Sequence, residues 1–188
     1  MKLLPGDVFA TSNPMALGKV INAAQWLWSK DGESTYSHAG IIIDPEGITF
    51  EALWTICKGH LDAYLGDRVI IARCEAVSGP KKEGVLKALI VKHQGQWYPF
   101  WRLPMHLIPF LAKISVTKRP VCSELVAKYL YKLGVRHPQW AGTNPDTLAD
   151  EWRRWRDFNI IYEGIWNGLE SDVDTNGDTI SVSPGDPT

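Results

Sequence analysis

Two apolar, β-branched runs, Tyr36 to Ile43 and Ile48 to Leu53, are separated by Asp44-Pro45-Glu46-Gly47. In that tetrapeptide proline presets one φ angle and glycine accepts a positive one, so the chain must double back as a β-hairpin. A four-residue turn centred between Pro45 and Glu46 fixes the antiparallel register: Gly40 faces Glu51, and His38 faces Leu53. Glu51 then shares a face with His38 as its diagonal neighbour, with Gly40 leaving space beside it. In that position its carboxylate can accept a hydrogen bond from the imidazole and fix the tautomer. A solvated strand carboxylate is the ordinary alternative, but Phe50, Ala52 and Leu53 mark a largely buried strand.

The remaining chain supplies strands and helices in a mixed order. Val8-Phe9-Ala10, after Gly6-Asp7, reads as a strand, as do Val69 to Arg73 and Phe158 to Tyr162. Helical spacing of apolar residues runs from about Met15 to Trp28 and from Lys81 to about His93. A further helix opens at Cys122 and stops at Gly134, and another runs from Asn144-Pro145-Asp146 through Trp155 with proline in its first turn. Between Trp97 and Ile114, prolines at 99, 104 and 109 forbid one continuous helix. That apolar segment reads as a capping loop, either a lid over a substrate groove or a packing excursion. If exposed, it favours contact with a membrane or another protein.

At 188 residues and 45% hydrophobic content, the chain supports one sizeable core. The expected fold class is α+β, a single domain over residues 1–166 with a central antiparallel sheet packed against helices. Residues 167–188 carry five acidic side chains, no lysine or arginine, and two prolines, and are expected to be a flexible acidic tail suited to docking a larger assembly. Asp172-Val173-Asp174-Thr175-Asn176-Gly177-Asp178 matches the first half of a calcium loop, but Ser183 stands where the closing glutamate belongs, which favours a solvated tail.

A net charge of -1 gives no electrostatic basis for nucleic-acid binding. No apolar stretch has the length of a secretory signal or a bilayer span, so the default expectation is a cytoplasmic site of synthesis. Three cysteines cannot all pair, and neither they nor the histidines have metal-ligand spacing, so no metal or other cofactor is expected.

Cys122 lies at a predicted helix N-terminus, where unpaired backbone N–H groups and the macrodipole favour a thiolate. Its own N–H is placed to serve as an oxyanion donor. A lone cysteine at a helix start is also commonly just a small buried apolar residue. Cys57 and Cys74, with no comparable setting, read as buried or incidental thiols.

The order of His38, then Glu51 on the next strand, then Cys122 at a late helix start resembles the circularly permuted NlpC-type papain-like cysteine hydrolases, the YiiX-like branch. The likeness spans roughly residues 5 to 162. It includes Gly6-Asp7, Ser37-His38-Ala39-Gly40-Ile41, Phe50-Glu51-Ala52, Val121-Cys122-Ser123-Glu124-Leu125 and Asn144-Pro145-Asp146-Thr147-Leu148-Ala149.

The resemblance implies Cys122 as nucleophile, His38 as general base and Glu51 as the residue that orients it. Gly95-Gln96-Trp97-Tyr98 is similar to the family's Gly-x-x-Tyr, which makes Tyr98 a candidate for substrate contact, although Pro99 and Phe100 depart from the pattern. Tyr36, two residues before His38, is a candidate oxyanion donor. The implied activity is hydrolysis or acyl transfer at an amide, ester or thioester. Its implied substrates are bacterial cell-wall peptides, cut as an endopeptidase or amidase, or lipid acyl groups as in the lecithin retinol acyltransferase relatives. A wall substrate requires delivery by lysis or a virus particle. A catalytically silent binding or structural module on the same fold is the alternative.

Overall fold

The computed structural model describes residues 1–12, 35–97, 120–136 and 143–169. The expected helix at 15–28, Tyr98, the apolar segment beyond Trp97 and the calcium-loop match therefore lie outside the described residues.

Among the described residues six strands form one sheet: β1 (Val8–Thr11), β2 (His38–Ile42), β3 (Ile48–Ala52), β4 (Ile56–His60), β5 (Arg68–Cys74) and β6 (Phe158–Ile165). Their spatial order is β4-β3-β2-β1-β5-β6, and every neighbouring pair is antiparallel. Among the described residues three α-helices accompany the sheet: α1 (Gly79–His93), α2 (Cys122–Leu133) and α3 (Pro145–Arg154). The class is α+β, in one domain.

Period-two alternation sorts the sheet into two buried faces. Val8, Ala10, Ala39, Ile41, Phe50, Ala52, Ile70 and Ala72 point to the face covered by helices, where they meet Leu86 and Leu89 of α1, Leu125, Val126 and Leu130 of α2, and Leu148 and Trp152 of α3. Each such large aliphatic side chain contributes about 1.5–3 kcal/mol of transfer free energy. Phe9, Ile42, Val69 and Ile71 point the other way, against Leu3, Leu61, Tyr64 and Trp166. Burial on both faces explains why the central strands are nearly continuous in apolar residues.

The hairpin forms with the expected register at its centre: Gly40 faces Glu51, Ile41 faces Phe50 and Ile42 faces Thr49. The pairing of His38 with Leu53 does not form. β3 ends at Ala52, and the Leu53 N–H bonds the Thr55 carbonyl at 3.0 Å as the chain turns into β4. Sequence pattern did not anticipate β4, nor the single 3₁₀ turn Leu61–Tyr64 that follows it. β6 also runs past Tyr162 to Ile165, and Leu169 still packs against the second cluster.

Helix ends follow local chemistry. Gly134, at φ 84°, closes α2 in the left-handed conformation that glycine adopts without a Cβ penalty. Asn144 caps α3 by accepting from the Thr147 N–H at 2.7 Å. Asp146 reaches across to accept the N–H groups of Thr35 and Tyr36 at 3.0 and 3.3 Å. The Asn-Pro-Asp sequence thus caps its own helix and tethers the segment that enters β2. Gly6-Asp7 has a comparable use: buried Asp7 accepts two bonds from Arg73, at 2.9 and 2.8 Å, and one from the Leu4 N–H at 2.9 Å, pinning the start of β1 to β5.

Candidate functional site

Alternation along β2 and β3 places His38, Thr49 and Glu51 on the second face, and the register sets Glu51 diagonal to His38. His38 Nε2 and Glu51 Oε2 are 2.6 Å apart, with both side chains buried. Cys122, the first residue of α2, lies near enough to the same imidazole to favour its charged form. His38 and Glu51 thus form a hydrogen-bonded pair, with Cys122 in the electrostatic surroundings of the imidazole.

The electrostatics are those of a buried charged pair. Burial opposes a charged His38, yet its interactions with Cys122 and Glu51, with their negative charge, outweigh the penalty and push it up to about 10. Burial likewise opposes a charged Glu51. The His38 bond and positive charge, followed by hydrogen bonds from Thr49 and Tyr64, hold it below the usual carboxylate range.

The helix start is held from two sides. The Val121 N–H donates to Glu124 Oε2 at 3.2 Å, closing the first turn back on itself. The Ser123 hydroxyl donates to the Thr143 carbonyl at 2.6 Å, joining the start of α2 to the approach of α3.

Tyr36 is buried, and its hydroxyl bonds Glu163 Oε1 at 3.3 Å while Arg153 Nη2 donates to it at 3.4 Å. Burial, followed by the Glu163 charge, pushes Tyr36 up to about 12. Its hydroxyl is thus engaged by Glu163 of β6 and Arg153 of α3.

Three residues that sequence reasoning missed complete the setting. Thr49 and Tyr64 both donate short hydrogen bonds to Glu51, to Oε1 and Oε2 respectively. Gly59 on β4 provides the space: a Cβ there would lie inside contact distance of Glu51 Oε1. Thr49 was within reach of sequence reasoning, because it lies two residues from Glu51 on the same strand face. Tyr64 was not, because it arrives from a 3₁₀ turn beyond an unanticipated strand.

Cys57 faces Glu51 in the β3–β4 ladder. Burial pushes both Cys57 and Cys74 up from the ordinary thiol value. Among the described residues, no group of three or more His, Cys, Asp or Glu side chains is arranged to hold a metal ion, and no helix is long and apolar enough to cross a membrane.

Comparison with known proteins places the fold. A crystal structure described as that of metalloprotein YiiX from Escherichia coli O157:H7 superimposes with a TM-score of 0.59 at 16% sequence identity, covering 87% of this chain and 99% of that one. No protein-family model matches the sequence, and no curated protein matches it.

Proposed function

We propose that this protein is a papain-like cysteine hydrolase of the permuted NlpC type, with Cys122 as nucleophile, His38 as general base and Glu51 as the residue that orients it. The observation that carries this reading is the His38 imidazole bonded to Glu51 at 2.6 Å, with Cys122 near enough to favour its charged form. The shared fold with YiiX supports it at the level of architecture.

In the proposed reaction His38 accepts the proton of Cys122 Sγ, and the thiolate attacks the substrate carbonyl carbon. Collapse of the tetrahedral adduct expels the amine or alcohol, which takes the proton from His38, and leaves a thioester on Cys122. Water then attacks the thioester while His38 accepts its proton. The second collapse releases the carboxylic acid and returns the thiol. Glu51 stays ionised throughout and fixes the tautomer of the imidazole. The Cys122 N–H, at the helix start, supplies one donor to the oxyanion.

The assigned substrate is the peptide of bacterial cell wall, cut at an amide bond, with lipid acyl esters as the alternative outcome of a substrate screen. YiiX is described as a metalloprotein. In this chain the described residues do not fit a resident metal, because no three donors converge and His38 commits Nε2 to Glu51. No step is assigned to one.

The test is the pH dependence of iodoacetamide alkylation of each cysteine, read by mass spectrometry in wild type and His38→Ala. Cys57 and Cys74 serve as internal controls, and denatured protein corrects for exposure. Selective, His38-dependent reaction of Cys122 below pH 7 is the expected result, followed by turnover of muropeptides. A Cys122 that reacts like the controls and ignores His38 overturns the enzyme reading in favour of a binding module.

A further inference from the structure

Glu51 presents a problem that the reaction above does not solve. It is buried to 1% exposure, and an ionised carboxylate there is unfavourable unless its lone pairs are satisfied. Among the described residues no lysine or arginine pairs with it. The groups that face it are His38 from β2, Thr49 from its own strand, Cys57 from β4, Tyr64 from the 3₁₀ turn and, through His38, Cys122 from α2.

We propose that Tyr64, assisted by Thr49, is a positioning residue that clamps the Glu51 carboxylate in the charge state and orientation His38 requires, and so sets the acid limit of the reaction. The geometry places donors on both carboxylate oxygens. Thr49 takes Oε1, while Tyr64 and His38 share Oε2. A carboxylate held at both oxygens cannot rotate away from the imidazole.

The tyrosine itself is fixed by packing. Its ring lies 5.8 Å from that of His38 and 5.7 Å from that of Phe9. Burial and the neighbouring Glu51 charge push its hydroxyl far up, so it serves as a donor across the working pH range. Gly59 leaves room for the clamped carboxylate where any larger residue would displace it.

Hydrogen bonds to a charged group are worth more than neutral ones, and losing one at a buried site moves the equilibrium toward the neutral acid. Without its hydroxyl donor, Glu51 is protonated at higher pH, and a protonated Glu51 no longer supports an imidazolium on His38.

Because this role has meaning only if His38 activates Cys122, the experiment separates the two questions. Cys122 alkylation is followed from pH 3 to 9 in wild type, Tyr64→Phe, Thr49→Val and Thr49→Ser, with folding checked by circular dichroism. The Glu51 carboxyl carbon is titrated by NMR in the same proteins.

In Tyr64→Phe the acid limb of the profile and the Glu51 titration are expected to move up together by about one pH unit, which lowers the alkylation rate on that limb about tenfold. Thr49→Val moves both in the same direction, and Thr49→Ser, which keeps the hydroxyl, restores the wild-type profile. If wild-type Cys122 is activated by His38 but the acid limb and the Glu51 titration stay in place in Tyr64→Phe and Thr49→Val, the clamp is wrong and the cysteine hydrolase reading survives. If wild-type Cys122 ignores His38, that reading fails first. The Glu51 titration then still decides whether the clamp exists as a structural device.

Discussion

Glu51 and Glu163 both sit on strands, both hydrogen-bond a tyrosine, and both are held below the usual carboxylate range, yet they reach that state by opposite means. Glu163 lies on β6, at an edge of the sheet, where its side chain is 31% exposed; Arg153 Nη2 approaches it at 2.6 Å, and the Tyr36 hydroxyl adds a second bond. A permanent cation offsets its charge, and water screens what remains. Glu51 lies on β3, with its side chain 1% exposed, and receives a histidine and two hydroxyls in place of a guanidinium. Among the described residues, its only cationic partner is one whose charge can be withdrawn. An arginine beside Glu51 would hold it ionised but would leave its charge with no leverage on a titrating neighbour. With His38 in that place, the carboxylate's charge acts on a neighbour that titrates, which in the proposed reaction is the base that serves Cys122. Glu163, by comparison, locks Tyr36 and Arg153 together and ties β6 to α3 and to the entrance of β2.

The largest effect that tests this contrast is on reactivity. Glu51→Gln keeps the shape of the side chain but removes its charge, and is expected to lower Cys122-dependent turnover by about a hundredfold or more, as loss of a histidine-orienting carboxylate does. Glu163→Gln is expected to stay within about twofold of wild type, because exposed ion pairs contribute little. Steady-state kinetics and alkylation rates on the two variants check the pair of outcomes. Equal losses would show that the two carboxylates differ in setting but not in role.

How much of this was legible in the sequence follows from the range of the interactions involved. The pairing of Gly40 with Glu51 was readable because a four-residue turn fixes its own register. Cys122 at a helix start and Gly134 at its end were readable because both are local backbone signals. The expected partner of His38 across the hairpin, Leu53, was lost because the chain turns again at that residue into β4. β4 itself, Ile56-Cys57-Lys58-Gly59-His60, lacks a clean alternation, and its glycine weakens any strand signal. Only the structure gives Gly59 a reason, since it makes room for a carboxylate eight residues away in sequence. The hydroxyl of Tyr64 could not be assigned to Glu51 without β4 and the 3₁₀ turn already in place.

The glycines beside the two carboxylates give a smaller and sharper test. A Cβ at Gly59 would meet Glu51 Oε1 and Thr49 Oγ1 inside contact distance, whereas one at Gly164, next to Glu163, meets nothing nearer than the Tyr162 hydroxyl at 3.5 Å. Gly59→Ala is therefore expected to cost about 1–3 kcal/mol by overpacking and to disturb Cys122 reactivity as well. Gly164→Ala should change stability by no more than about 0.5 kcal/mol and leave reactivity unchanged. Urea unfolding with parallel alkylation distinguishes the two.

The smallest expected effect is on how stability depends on pH, and here the two regions separate by direction. His38 has its folded value raised from 6.5 to about 10, so the stability it contributes is fully present below pH 6.5 and is lost as pH rises toward 10. Glu51 and Glu163 are both lowered, so their contributions are present above the ordinary value of 4.5 and are lost as pH falls. Buried His93 is also lowered and adds to the acid-side loss. The alkaline side therefore isolates the His38 site once the two other thiols are matched by comparing wild type with His38→Gln. The wild-type protein should lose stability between pH 6.5 and 9 with a slope of at most about 1.4 kcal/mol per pH unit, the limit for one proton, and His38→Gln should remove most of that slope. Salt completes the separation: raising ionic strength should weaken the Arg153–Glu163 contribution by a few tenths of a kcal/mol and leave the alkaline slope in place, because only the exposed pair is screened. An alkaline slope that survives in His38→Gln would mean that the imidazole gains no charge-dependent support from Glu51 and Cys122, and the distinction between the two carboxylates would reduce to their burial.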